Sequence, residues 1–246
     1  AIGGRAGDVT VRDDQLLLDG RGLSGGIGSY AQGTFGQAGA VRVTATQAMT
    51  VRDGASVIAG NLGTGGSGSI EVQAGTLLLD GRGAQATYTG IGGDAISGGA
   101  GAPVTVQAER LEMREGSAIS SASFSAQDGG AVDVTVGLLR IDGGGNAQVA
   151  TGINAGTSGA GNAGSIRISA RDIELVGEGG ISTSTAGSGR GGGLDITAER
   201  VRLERGGAIF SVAAADGDAG RIGVTASESL VLADGGLIVA NTGGFG

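Results

Sequence analysis

The chain has 246 residues, of which 56 are glycine and one is proline, with 39% hydrophobic but only 2% aromatic residues, a make-up that excludes a collagen-like period and argues against disorder. Its 16 basic residues are all arginine and face 24 acids for a net charge of −8, a balance that disfavours nucleic acid and anionic membrane as partners. Histidine, cysteine, lysine and tryptophan are absent, which removes His- and Cys-based nucleophilic triads, lysine bases and any disulfide framework.

Eight units follow one another along the chain. Each has three short segments of alternating apolar and polar residues, the mark of strands buried on one face. The first unit carries Val9/Val11, Leu16/Leu18 and Ile27; the second carries Val41/Val43, Met49/Val51 and Val57. Ile70/Val72, Leu77/Leu79 and Ile91 form the third, and Val104/Val106, Leu111/Met113 and Ile119 the fourth. The fifth has Val132/Val134, Leu139/Ile141 and Ile153, the sixth Ile166/Ile168, Ile173/Leu175 and Ile181. Leu194/Ile196, Val201/Leu203 and Ile209 make the seventh, and Ile222/Val224, Leu230/Leu232 and Ile238 the eighth. Two residues after each third-segment opener stands a small residue.

The spacings discriminate between folds. First to second segment takes five or six residues, and third segment to the next unit takes 13, or 14 from Ile27 to Val41. Only the second connection varies, so the period swings between 28 and 34 residues. A β-propeller blade needs four strands, and helical repeats need a period of 3.6 rather than two. The pattern predicts an all-β fold: a right-handed parallel β-helix, a solenoid of eight coils with three strands per coil, forming a rod of roughly 38 Å at ~4.8 Å per coil. Residues 1–246 read as a single β-helix segment, either a slice of a longer repeat array or a unit that stacks end to end.

Glycine recurs at one phase of the coil. Gly7, Gly39, Gly68, Gly130, Gly164, Gly192 and Gly220 each precede a first segment by two residues, with Ala102 the exception. This predicts a corner that needs positive φ or a close coil-to-coil approach.

The motif LLLDGRG occurs at residues 16–22 and 77–83, with a relaxed copy, LRIDGGG, at 139–145. In the aligned coils its aspartates alternate with arginines, giving a column Asp19, Arg52, Asp80, Arg114, Asp142. Further columns read Glu112, Arg140, Glu174, Arg202 and Arg42, Glu71, then Asp133, Arg167, Asp195. Stacked opposite charges of this kind are register ladders worth ~0.2–1 kcal/mol per pair. The Asp-rich turns lack the successive glycine–aspartate units of a calcium-binding repeat, and the TST at 183–185 does not persist as an ice-binding ladder. Tyr30, Tyr88, Phe35, Phe124, Phe210 and Phe245 look scattered, which argues against a sugar cleft flanked by paired carboxylates. No catalytic, cofactor-binding or metal-binding residue is assigned from the sequence and no cofactor is expected. The extended connections at 20–26, 81–90 and 143–152 are where ligand contact is expected.

The cadence GNAGSIRISARDIELVGEGGISTSTAGSGRGG (161–192), alternating with LRIDGGGNAQVATGINAGTSGAGNAG (139–164), resembles the β-helical shaft of filamentous haemagglutinin-like exoproteins. The resemblance spans essentially the whole chain. It implies a non-enzymatic structural shaft of a secreted or bacterial cell-surface adhesin or extracellular filament, supporting adhesion, aggregation or biofilm. Export through two-partner secretion implies an outer-membrane transporter as partner, with the secretion domain and any adhesive tip outside these residues. Host-cell, neighbouring-cell or matrix surfaces, including glycans, are the implied targets, with end-to-end self-association as a further possibility. The alternative is a carbohydrate-binding or polysaccharide-degrading β-helix protein.

Overall fold

A computed structural model describes residues 3–32, 35–83, 88–144 and 150–243. Among them there is no helix, and parallel strands build a β-solenoid of eight coils. Each coil contributes one long and one short strand. The long ones are β1 (Val9–Asp19), β3 (Ala40–Arg52), β5 (Ser69–Asp80), β7 (Val104–Arg114), β9 (Val132–Asp142), β11 (Ile166–Val176), β13 (Leu194–Glu204) and β15 (Ile222–Leu232). They stack in chain order as one sheet. The short ones, β2 (Gly25–Ala31), β4 (Ala55–Asn61), β6 (Thr89–Gly92), β8 (Ser117–Ser120), β10 (Gly152–Asn154), β12 (Gly180–Thr185), β14 (Ala208–Ala213) and β16 (Leu237–Thr242), form the second sheet.

The first and second segments read from the sequence are therefore the two halves of one long strand. The reason is visible in β7, where Val104 and Val106 are buried, then Leu111 and Met113, so the inward phase flips from even to odd numbers. A corner runs through the strand there: Ala74 pairs with Ala108 and Thr76 with Arg110, while the residue between drops out of the ladder. Where the sequence spaces the halves by six residues instead of five, in the second and eighth coils, the ladder shows a register shift. Past the short sheet, isolated parallel bridges link Asn61, Ala95, Ser123, Thr157 and Thr185 from coil to coil.

Like stacks on like. Val104 pairs with Ile70 and Val132, and Leu111 with Leu77 and Leu139. The result is one aliphatic cluster running through the coils. Burial of these columns is the main favourable term, at about 25 cal/mol per Å² of apolar surface.

Hydroxyls at the small-residue position of the short sheet tie it to the glycine corner. Thr183 Oγ1 donates to the Gly192 carbonyl at 2.6 Å. Ser211 Oγ donates to the Thr183 carbonyl at 3.0 Å and accepts from the Gly220 N–H at 2.8 Å. Ser29 does the same between Gly7 and Gly39 at 2.9 Å each. Thr183 and Thr185 are thus buried, 0% and 1% exposed, and offer no outward ladder.

Six of the seven corner glycines are required by close approach, while Gly7 meets nothing within 4 Å, and none of the seven lies in the left-handed region. A Cβ on Gly192 would collide with the carbonyl of Gly164, and one on Gly220 with that of Gly192. Positive φ sits at the other end of the long strands instead. Asp53 and Gly54 (51° and 88°), Arg205 and Gly206 (47° and 80°), and Asp234 and Gly235 (47° and 81°) make the tight connections.

Two substitution pairs follow. Leu111→Ala, at a site 0% exposed, should destabilise by about 2–5 kcal/mol. Leu230→Ala occupies the same column in the eighth coil but is 46% exposed, and should cost much less. Gly192→Ala should cost at least ~1–3 kcal/mol by overpacking, whereas Gly193→Ala, which meets nothing within 4 Å, should be close to neutral. Urea midpoints of the four variants check both.

Candidate functional site

Among the described residues, the outer face of the short sheet carries the one concentration of rings. Outward positions of the first three coils include Gly28, Gly60 and Gly92: Ile58 pairs with both Gly28 and Gly92 in one column, and Gly60 pairs with Tyr30 in the next. Bare glycine leaves room for rings to fold down onto the sheet. A Cβ on Gly28 would lie 2.7 Å from a Tyr30 ring carbon, and one on Gly92 would lie 3.2–3.4 Å from the Tyr88 ring and hydroxyl. Tyr88 is fixed by donating its hydroxyl to the Ile91 carbonyl at 2.6 Å, with the Ala118 carbonyl at 3.1 Å.

One column further along the chain, Leu62, Ile96 and Phe124 follow each other on three successive coils. Backbone bonds from Leu62 N to Ala31 O, Ile96 N to Asn61 O and Phe124 N to Ala95 O hold them in line. They are 41%, 56% and 56% exposed, and Tyr30 is 46% exposed. Between this row and the tyrosines lies a groove of about 300 Å³, lined by Tyr30, Ile58, Gly60, Leu62, Tyr88, Gly92, Asp94, Ile96 and Phe124. The rings that look scattered in the sequence are therefore partly gathered: three of the six meet here. Phe35 and Phe210 lie in other concavities, and Phe245 lies outside the described residues.

Asp94 is the only charged residue in the groove lining. Its Oδ1 accepts from Ser120 Oγ at 2.5 Å and from the Ala122 N–H at 2.7 Å. Among the described residues no hydrogen bond reaches Oδ2. Burial, outweighing those two bonds, pushes the carboxyl above its usual value. An ionised Asp94 thus costs stability at neutral pH, the opposite of what a structural ion pair does.

A larger trough of about 640 Å³ lies along the corner of the long sheet, lined by Thr44, Gln73, Gln107, Glu109, Thr135 and smaller residues. It is wide open and holds no ring, so it gives a ligand less to grip. Of the extended connections, residues 84–87 and 145–149 lie outside the described residues. The 81–90 connection supplies Tyr88 to the groove wall, while residues 20–26 do not line it.

The charge columns keep the register read from the sequence, with Asp19 opposite Arg52, Arg52 opposite Asp80, Asp80 opposite Arg114 and Arg114 opposite Asp142. The side chains pair less regularly. Arg52 bridges to Asp19 at 2.8 Å and Arg140 to Glu174 at 2.6 Å, both between coils. Asp80, 8% exposed, instead takes a two-pronged contact from Arg82 of its own turn, at 2.6 and 2.9 Å. Arg114 turns to Glu112 on its own strand at 2.7 Å. The shared role of the motif aspartates is local. Asp19, Asp80 and Asp142 each accept the backbone N–H two residues on, from Arg21, Arg82 and Gly144, at 3.0–3.1 Å. This is the Asx turn that bends the chain out of the long strand.

One ladder escaped the sequence columns. Arg200 joins Asp172 at 2.5 Å and Glu228 at 2.7 Å, spanning three coils at the strand corner. No cluster of three or more acids able to hold a metal ion occurs among the described residues.

These contacts set an acid limit. Arg200 and Arg171 hold the Asp172 carboxyl below the usual range, and Arg52 with the Arg21 N–H does so for Asp19. For Asp80 burial is the largest single influence and pushes upward, but the bonds from Arg82 together outweigh it. A carboxyl with a depressed folded pKa contributes stability that is complete above the unfolded value, about 3.9, and is lost as pH falls through the folded value. The share of stability from these three carboxylates should therefore be lost below about pH 4, and urea midpoints should fall there. In Asp80→Ala that acid-side loss should shrink.

No protein-family model matches the chain, and no curated protein or solved structure matches it either.

Proposed function

We propose that this chain is a right-handed, three-sided β-helical shaft segment of a secreted or bacterial cell-surface exoprotein of the filamentous haemagglutinin-like kind, with a mechanical rather than catalytic role. The observation that carries this reading is the continuous coil-to-coil pairing over eight coils, in which each coil pairs with its neighbours along both sheets. Such an array transmits load along its axis through backbone hydrogen bonds and grows by adding coils without changing cross-section. The bridge ladder from Asn61 to Thr185 supports a third side, and the corner in each long strand separates the other two. Adhesion to a host, neighbouring-cell or matrix surface, aggregation, and export through an outer-membrane transporter belong to the same reading.

The test is made on the native host. Antibodies against this chain should label intact, unpermeabilised cells or their shed material, and removal of its gene should reduce cell–cell or cell–surface attachment. Labelling only after lysis, with attachment unchanged, contradicts the proposal.

The groove favours a second reading, a ligand-binding module. Cleavage of a glycan by paired carboxylates has less support, because Asp94 has no acidic neighbour in the groove lining.

A further inference from the structure

We propose that the groove between Tyr30 and Phe124 is a binding site for an organic cation, a ligand with one ammonium group and an apolar or aromatic body. This goes beyond the shaft reading and stands or falls independently of it.

The geometry narrows the ligand class. The groove crosses four coils, from Tyr30 on the first to Phe124 on the fourth, a span of roughly 14 Å along the rod axis. An ammonium head alone is too small for it, and the row Leu62, Ile96, Phe124 gives an apolar body a wall to lie against. The polar equipment is sparse. Tyr88 has its hydroxyl proton engaged with backbone carbonyls, leaving Asp94 and the Tyr30 hydroxyl. A neutral sugar needs many hydroxyl partners to replace its hydration, and here it would find few. A cation needs one anion and the negative faces of rings, which this lining contains.

Asp94 supplies the charge complementarity. Its Oδ1 is committed to Ser120 and Ala122, which aims the carboxylate while its Oδ2 makes no bond among the described residues. A carboxylate placed among Ile58, Leu62 and Ile96 is unfavourable in the unliganded protein, and its partner would have to come from outside. None of the chain's 16 arginines lines the groove.

The chain has two tyrosines and no tryptophan, and both tyrosines line this groove. Intrinsic tyrosine emission therefore reports on this site alone. The whole chain is titrated with 2-phenylethylammonium, with its neutral counterpart 2-phenylethanol, and with maltotriose. A saturable change is expected with the ammonium, with affinity about tenfold or more weaker for the alcohol. Asp94→Asn keeps an acceptor for Ser120 and Ala122 and should retain or raise the thermal midpoint while weakening the ammonium about tenfold or more. Phe124→Ala, at an exposed position, should weaken it without unfolding the chain. The proposal is overturned by no saturable response to the ammonium, by equal affinity for the alcohol, by unchanged binding in Asp94→Asn, or by tighter binding of maltotriose.

Discussion

Everything in this molecule depends on one constraint: the backbone groups of a coil find their partners in the coils above and below it. Each such hydrogen bond adds only ~1 kcal/mol net, but a buried group left without one costs ~1–3 kcal/mol. The ladder therefore tolerates no misfit that separates neighbouring coils. Residues facing inward must be of similar size at each level, which yields columns of Val, Ile and Leu. Where two backbones are forced into contact at a corner, the side chain has to vanish, as at Gly164, Gly192 and Gly220. Insertions of several residues are admitted where the chain leaves the ladder, at the turn opened by Asp19, Asp80 and Asp142, while a single extra residue in the second and eighth coils is taken up as a register shift.

That constraint also explains what could be read from the sequence. The coil count and column register are legible because a parallel stack repeats the same demand at each level. Val104 opposite Val132 and Asp19 opposite Arg52 are where the alternation puts them. The two halves of the long strand read as separate strands because alternation reports which way a side chain faces. At Ala108–Arg110 the facing changes while the backbone pairing carries on around the corner. Ion pairs are less legible, since a long arginine chooses among several acids within reach. Arg82 beside Asp80, and Arg200 between Asp172 and Glu228, depend on turn and bulge geometry that a column alignment does not contain.

The groove was least legible. Its residues come from four different coils, so Tyr30, Tyr88 and Phe124 are far apart in the chain and follow no common phase. Tyr88 even belongs to an extended connection rather than a strand. One signal was available: Leu62, Ile96 and Phe124 each stand one residue after the bridge residues Asn61, Ala95 and Ser123, an outward column that carries large apolar residues where later coils carry the small Ser158 and Ala186. An outward apolar run on a repeat whose other faces are polar is a local departure from the rule that builds the rod. Asp94 is a second departure, a carboxylate whose charge the fold does not favour. Two such departures at one spot mark where a shaft would stop being only a shaft.

The stacking register can be tested directly because the natural chain has no cysteine. Gln107 and Thr135 are register partners on the exposed face of β7 and β9. Neighbouring strands place such partners ~4.8 Å apart, within disulfide range, whereas the offset pair Gln107 and Asp133 on the same face is ~8 Å apart and beyond it. Oxidation of the Gln107→Cys/Thr135→Cys variant should close a disulfide in near-complete yield without loss of stability, and the Gln107→Cys/Asp133→Cys variant should remain reduced. Equal cross-linking of both pairs, or preference for the offset pair, would contradict the coil-on-coil register from which the core, the ladders and the groove all follow.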